Sequence, residues 1–205
     1  MPSTSSLPPT PSHPPPPHTP PALAGAAADD ALAATPTPDK ALTLPGVTAE
    51  PLTFENAVTI GEGTRVLWTK NAADGSVSGA LDAASPGWAA FGFPGPAGGM
   101  LGGAVVLVQP DPAARGLATA RTATLAGYSP EKFASPSPDL KTTGPLTAGI
   151  PATGRIAATF TLASVPAGGK VMVATGPMDR TAGGGGGGRL GVHPAGRAGV
   201  ADLVF

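Results

Sequence analysis

The sequence predicts an all-β domain, a sandwich or barrel, behind a disordered Pro-rich tail. Two observations predict the β class. Short apolar runs are separated by Gly, Pro, Asn and Asp at intervals of about ten residues, the spacing of strands and turns in such domains. No segment carries a sustained 3.6-residue apolar period with capping residues. A third observation sets the boundary: of 27 prolines, thirteen fall in residues 1–45, whereas of 30 glycines only Gly25 does. Residues 1–45 therefore read as a disordered or polyproline-like tail, and residues 46–205 as one domain.

Strand texture begins near Leu52. Thr64 to Lys70 places Val66 and Trp68 on one face, and Ser76 to Leu81 follows as a short candidate. Gly87 to Phe93 places Trp88 and Ala90 on one face, with Phe91 and Phe93 on the other. Gly102 to Gln109 is almost continuously apolar, as a strand buried on both faces would be. Gly116 to Gly127 is weaker, its threonines favouring strand over helix. Arg155 to Leu162 is the cleanest alternation: Ile156, Ala158, Phe160 and Leu162 face in, and Arg155, Thr159 and Thr161 face out. Lys170 to Thr175 and Val200 to Phe205 complete the set. The six glycines Gly183 to Gly188 have no strand–turn–helix context and no following lysine, so they read as a connection, not a phosphate loop.

Composition excludes several functions. Net charge is −1 with 12% charged residues and no basic stripe, which argues against nucleic acid as a partner. The absence of cysteine removes disulfides, thiolate metal sites and thiol nucleophiles. The longest apolar run, Ala97 to Val108, is too short to span a bilayer. Ala22 to Ala28 has no positive charge before it and is not read as a signal peptide. There is no G-x-S-x-G nucleophile elbow. The carboxylates are scattered, and one body histidine without cysteine leaves a zinc site short of ligands. His13 and His18 read as solvated tail residues.

What remains is Gly87–Val108 (GWAAFGFPGPAGGMLGGAVVLV) and Arg189-Leu190-Gly191-Val192-His193-Pro194. The first ends a Gly-rich loop in the thioether of Met100; the second carries the one histidine outside the tail. A thioether and an imidazole together could clamp a haem, which also needs apolar walls and partners for its propionates. Each residue also has an ordinary reading. A methionine beside an apolar strand fills core, and a lone loop histidine is solvated. The residues alone leave this open, because Met100 and His193 are 93 positions apart.

Gly87-Trp88-Ala89-Ala90-Phe91-Gly92-Phe93, then Gly99-Met100-Leu101-Gly102, resembles the signature of the DOMON domain. This is the module of plant and algal b-type cytochromes and of the cytochrome part of cellobiose dehydrogenase. Val165-Pro166-Ala167-Gly168, Gly191-Val192-His193-Pro194 and the closing Asp202-Leu203-Val204-Phe205 fit the same pattern, so the resemblance spans roughly residues 50–205 in order. It departs from many relatives at Gly103-Ala104, where they carry a polar residue, and in lacking the cysteines of some plant members.

The resemblance implies an immunoglobulin-like β-sandwich binding one haem b, with Met100 and His193 as axial ligands of the iron. Trp88, Phe91, Phe93, Leu101, Leu190 and Val192 are then the candidate walls, and Arg189 and Arg197 candidate propionate partners. Six-coordinate iron leaves no position for substrate, so the implied role is an electron carrier and not an enzyme. The implied partner is a redox protein such as a transmembrane b-type cytochrome, at an extracellular or membrane-associated location. The competing expectations are a haem-free binding module, for carbohydrate among other ligands, and a truncated piece of a membrane redox cytochrome.

Overall fold

The computed structural model describes residues 35–36, 39–114, 116–127, 132–152, 154–166, 169–179, 189–190 and 198–205. Expectations for residues 1–34 lie outside this set. In chain order the strands are β1 (Thr35–Pro36), β2 (Ala41–Leu42), β3 (Leu52–Thr53), β4 (Asn56–Ile60), β5 (Thr64–Lys70), β6 (Val77–Ala83), β7 (Trp88–Phe93) and β8 (Ala104–Pro110). They continue as β9 (Ala118–Leu125), β10 (Phe133–Ala134), β11 (Thr147–Gly149), β12 (Ile156–Leu162), β13 (Lys170–Gly176), β14 (Met178–Asp179), β15 (Arg189–Leu190) and β16 (Ala198–Asp202). No α-helix occurs among the described residues.

Two six-stranded sheets carry the fold, ordered β1-β4-β5-β6-β12-β11 and β10-β9-β8-β7-β13-β16, with antiparallel pairing throughout. Their inner faces share one apolar core. Val66, Trp68, Leu81, Ile156 and Phe160 come from the first sheet; Phe91, Phe93, Val106, Val108 and Val173 come from the second. The fold is thus an all-β sandwich, and its alternating strands face as their sequence directs. The Phe91 and Phe160 rings stack across the core with centroids 5.3 Å apart, and Trp68 meets Phe205 at 5.7 Å. Trp68 Nε1 donates to the Val204 carbonyl at 3.2 Å, satisfying the one polar atom of that buried ring.

β8 is buried on both faces because each sheet also packs outward. Val106 and Val108 enter the central core, whereas Val105 and Leu107 enter a second cluster on the outer face of the second sheet. On the outer face of the first sheet, Leu42 and Leu44 pack with Leu67, Ala80 and Ala157. This corrects the expected boundary at residue 45. Leu42 and Leu44 are 3% and 0% exposed, and the short β2–β3 pair brings them over the sheet, so the packed body already includes them. A proline-poor stretch, Asp39 to Leu44, carries this packing; the tail composition hid it because prolines flank it on both sides.

Beside that cluster Asp82 is 2% exposed and joins three elements. Arg65 donates to Asp82 Oδ2 from Nε at 3.0 Å and Nη2 at 2.6 Å. Arg155 donates to Oδ1 from Nε at 3.0 Å and pairs with it through Nη2 at 2.8 Å. Arg65 Nη1 reaches on to Asp39 Oδ2 at 2.6 Å. Both oxygens of a buried carboxylate are therefore paired, as burial of such a charge requires.

Candidate cofactor face

The candidate site lies on the outer face of the second sheet, and β7 begins it. Residues 89, 91 and 93 turn inward, so Trp88 and Ala90 turn outward. There they join Val105, Leu107, Ala123, Leu125, Met172 and Ala174 in a buried apolar cluster. Met100, Phe133, Ala198 and Val200 are half-buried at its margin.

Two glycines permit the close packing. Gly176 pairs directly with Trp88, and a Cβ at residue 176 would lie 2.5 Å from the indole Nε1. A Cβ at Gly103 would collide with the terminal methyl of Met172. Neither position has room for a side chain. The buried Ser85 hydroxyl ties the ends of β7 and β13, with its oxygen 3.1 and 3.2 Å from the Trp88 and Gly176 carbonyls, and it accepts the Gly87 N–H at 3.2 Å. Sequence reasoning missed Ser85, since a lone serine before Pro-Gly reads as a turn.

The loop that delivers Met100 is held by its own backbone. Gly95 N–H donates to the Gly99 carbonyl at 2.8 Å, and Gly103 N–H to that of Met100 at 3.0 Å. Gly102 N–H donates to Leu125 and Leu125 N–H to Gly103, at 2.9 and 2.8 Å, fastening the loop to the end of β9. Met100 is thereby set on the cluster margin rather than left in solvent.

The sequence candidates divide. Met100 and Trp88 meet at one cluster. Phe91 and Phe93 do not join them: they are 1% and 4% exposed and fill the core between the sheets, because odd positions of β7 face inward. They belong to a different cluster from Met100. Leu101 is 45% exposed on the loop, outside the cluster. Leu190 lies in β15 with Arg189, and β15 pairs with β14 through Leu190 to Met178 and Arg189 to Asp179. Val192, His193 and Arg197 lie outside the described residues. The described positions flanking them are fixed: Leu190 pairs two residues beyond the end of β13, and Ala198 pairs with Ala174 within it.

Beyond the cluster the same face carries Arg121, paired with Leu107, and Lys170, paired with Asp202. Among the described residues no group of three or more His, Cys, Asp or Glu could hold a metal ion. The donors on this face are the thioethers of Met100 and Met172, soft ligands suited to iron in a macrocycle or to copper. Met172, absent from the candidates drawn from sequence, is marked by an apolar position on an outward-turned residue of β13, a signal legible only once the face is known. No protein-family model, curated protein or solved structure matches the chain.

Proposed function

We propose that this chain is a haem b-binding electron carrier of the DOMON type, immunoglobulin-like in its connectivity, with Met100 and His193 as iron ligands. One observation supports it above the others. Met100 and Ala198 border the same apolar cluster, and Ala198, five positions after His193, opens β16 beside β13.

The haem would supply one-electron redox chemistry. The chain's own part is to bind, orient and exclude water. The thioether of Met100 is the soft ligand, which favours the reduced state over a second imidazole. The imidazole of His193 would be the second ligand, and a carbonyl or water accepting from its other ring nitrogen would hold it in orientation. Trp88, Met172 and Val200 would form the apolar wall, and Arg189 and Arg197 would be the cations for the haem propionates. Transfer to a redox partner, such as a membrane b-type cytochrome, would be outer-sphere.

Haem added to the purified chain should give a low-spin absorption spectrum with a sharp Soret band and resolved bands on reduction. His193→Ala should abolish it. Met100→Ala should retain haem in a five-coordinate or water-ligated form at lower potential, and Met172→Leu should keep the wild-type spectrum. A wild type that takes up no haem, or Met100→Ala and His193→Ala variants with unaltered spectra, would overturn the proposal.

A further inference from the structure

A concavity of about 410 Å³ lies on the outer face of the first sheet, on the opposite side of the molecule from Met100. Its floor is a rank of hydroxyls set by register: Thr69 of β5 pairs with Ser78 of β6, and Ser78 with Thr161 of β12. Leu52 and Phe54 form one wall and Pro145 the other, and none of the side chains lining the groove is charged. Both walls are fastened. Phe54 N–H donates to the Lys40 carbonyl at 2.9 Å, and Thr143 N–H donates to the Thr161 carbonyl at 2.9 Å on the segment that leads to Pro145. The floor can donate hydrogen bonds. Thr69 Oγ1 accepts from Glu55 N–H, which leaves its own hydrogen to donate. Ser78 Oγ and Thr161 Oγ1, 3.5 Å apart, share a single hydrogen, so the other faces outward.

The amino-acid sequence supplies a matching ligand. Pro8, Pro11, Pro14, Pro17 and Pro20 recur at every third position. A polyproline II helix has three residues per turn, so such a row lies along one of its faces, with a repeat of about 9.3 Å. Thr69 and Thr161 are two strand spacings apart, about 9.6 Å. A polyproline helix laid across β5, β6 and β12 therefore meets these two hydroxyls one turn apart. Proline has a carbonyl but no N–H, so the ligand is rich in acceptors where the floor donates. Charge agrees as well, since residues 1–28 contain no Asp, Glu, Lys or Arg.

We infer that the groove takes residues 8–20 of this same chain as a polyproline II helix, with the period-three prolines packed between Phe54 and Pro145. The connection is long enough. Strand β1 begins at Thr35 and pairs with β4, which lies beside β5. From β1 to β12 is four strand spacings, about 19 Å. The fifteen residues from Pro20 to Thr35 give a coil with a root-mean-square span of roughly 21 Å. A tether whose length matches the span maximises effective concentration. A proline helix also arrives with its backbone torsions already restricted, so ordering it costs less than ordering a general segment. The inference is independent of haem, because the groove and the Met100 face lie on opposite sheets.

The chain has no cysteine, so Ser12→Cys gives a single attachment point for a nitroxide spin label on the full-length protein. Amide relaxation of the isotope-enriched chain should show broadening at Ser78, Gly79, Thr159 and Thr161, and none at Val105 and Leu107 of β8. Pro11→Ser with Pro14→Ser breaks the row at constant length and charge, and should abolish the selective broadening. Pro9→Ser with Pro16→Ser removes as many prolines from other faces and should keep it. Ser78→Ala and Thr161→Val should each weaken docking about three- to tenfold, the net worth of one hydrogen bond. Docking at an effective concentration near its dissociation constant shifts the folding equilibrium only about twofold, so relaxation reads it and melting does not. No broadening at the groove, even broadening over both sheets, equal effects of the two tail variants, or broadening that survives both hydroxyl variants overturns the inference. So does equal broadening in a mixture of spin-labelled chain and label-free isotope-enriched chain, which would assign the groove to the tail of a second copy.

Discussion

The indole of Trp88 covers Gly176. Three of its ring atoms lie 2.5, 2.6 and 2.8 Å from where a Cβ at residue 176 would stand. The pair closes one end of the apolar face on which Met100 rests. Trp88→Ala should cost about 3–5 kcal/mol through lost burial and the cavity left behind. Gly176→Ala should cost about 1–3 kcal/mol, because the indole must move off its neighbours. Denaturant unfolding of both variants measures this, and a neutral Gly176→Ala would mean the ring does not lie there.

Asp82 is the electrostatic counterpart of that packing. Its carboxylate is buried and holds Arg65 and Arg155 from two neighbouring elements. Asp82→Asn leaves two guanidiniums facing a neutral amide, and should cost about 3–5 kcal/mol. Asp39→Asn removes the exposed arm of the same network and should cost below about 1 kcal/mol. The contrast in urea midpoints is the readout; equal effects would mean burial of Asp82 is not what makes its pairing matter.

Acid should loosen the Asp39 arm. The Ala41 N–H donated to Asp39, then the Arg65 guanidinium, hold this carboxyl below its ordinary value of 3.8. A lowered folded-state value stabilises the packed segment above the ordinary value, and that stabilisation is lost as pH falls through the folded one. Arg65 stays charged throughout, since its bonds to Asp82 and Asp39 outweigh the burial that opposes charge. Carboxyl titration by NMR should give Asp39 a midpoint below 3.8, moved upward in Arg65→Gln. A midpoint unaltered by that variant would remove Arg65 as a cause.

Truncation separates tail from body. Removing residues 1–34 keeps Leu42 and Leu44 packed on Leu67, Ala80 and Ala157 and should leave the melting temperature within error. Removing residues 1–45 deletes two buried leucines, each contributing about 1.5–3 kcal/mol, together with the Asp39 arm. Thermal unfolding of the two truncations should differ by many degrees, and coincident curves would mean the outer cluster on the first sheet contributes nothing.

Strand positions and facing were legible in the sequence where alternation was strong. β12, β7 and β5 have the predicted faces, because residue identity at period two responds directly to which side is buried. The doubly buried β8 was legible for the same reason. The short strands β1, β2, β3 and β11 were not: two or three residues carry no period, and only pairing to a longer strand makes them strands. Of the candidate site, the sequence marked Met100 and Trp88 but joined them to Phe91 and Phe93 as well. It could place Trp88 and Phe91 on opposite faces of one strand, yet not say which face would meet Met100. That depended on the Gly102–Leu125 hydrogen bonds, which turn the loop to the outer side. Asp82 with Arg65 and Arg155 was invisible for a related reason, as charges 17 and 73 positions away become neighbours only through sheet register. The sequence by itself determined which residues seek burial, because transfer from water is local to each side chain. The tertiary structure alone decided which buried faces adjoin, because strand order and register are long-range properties.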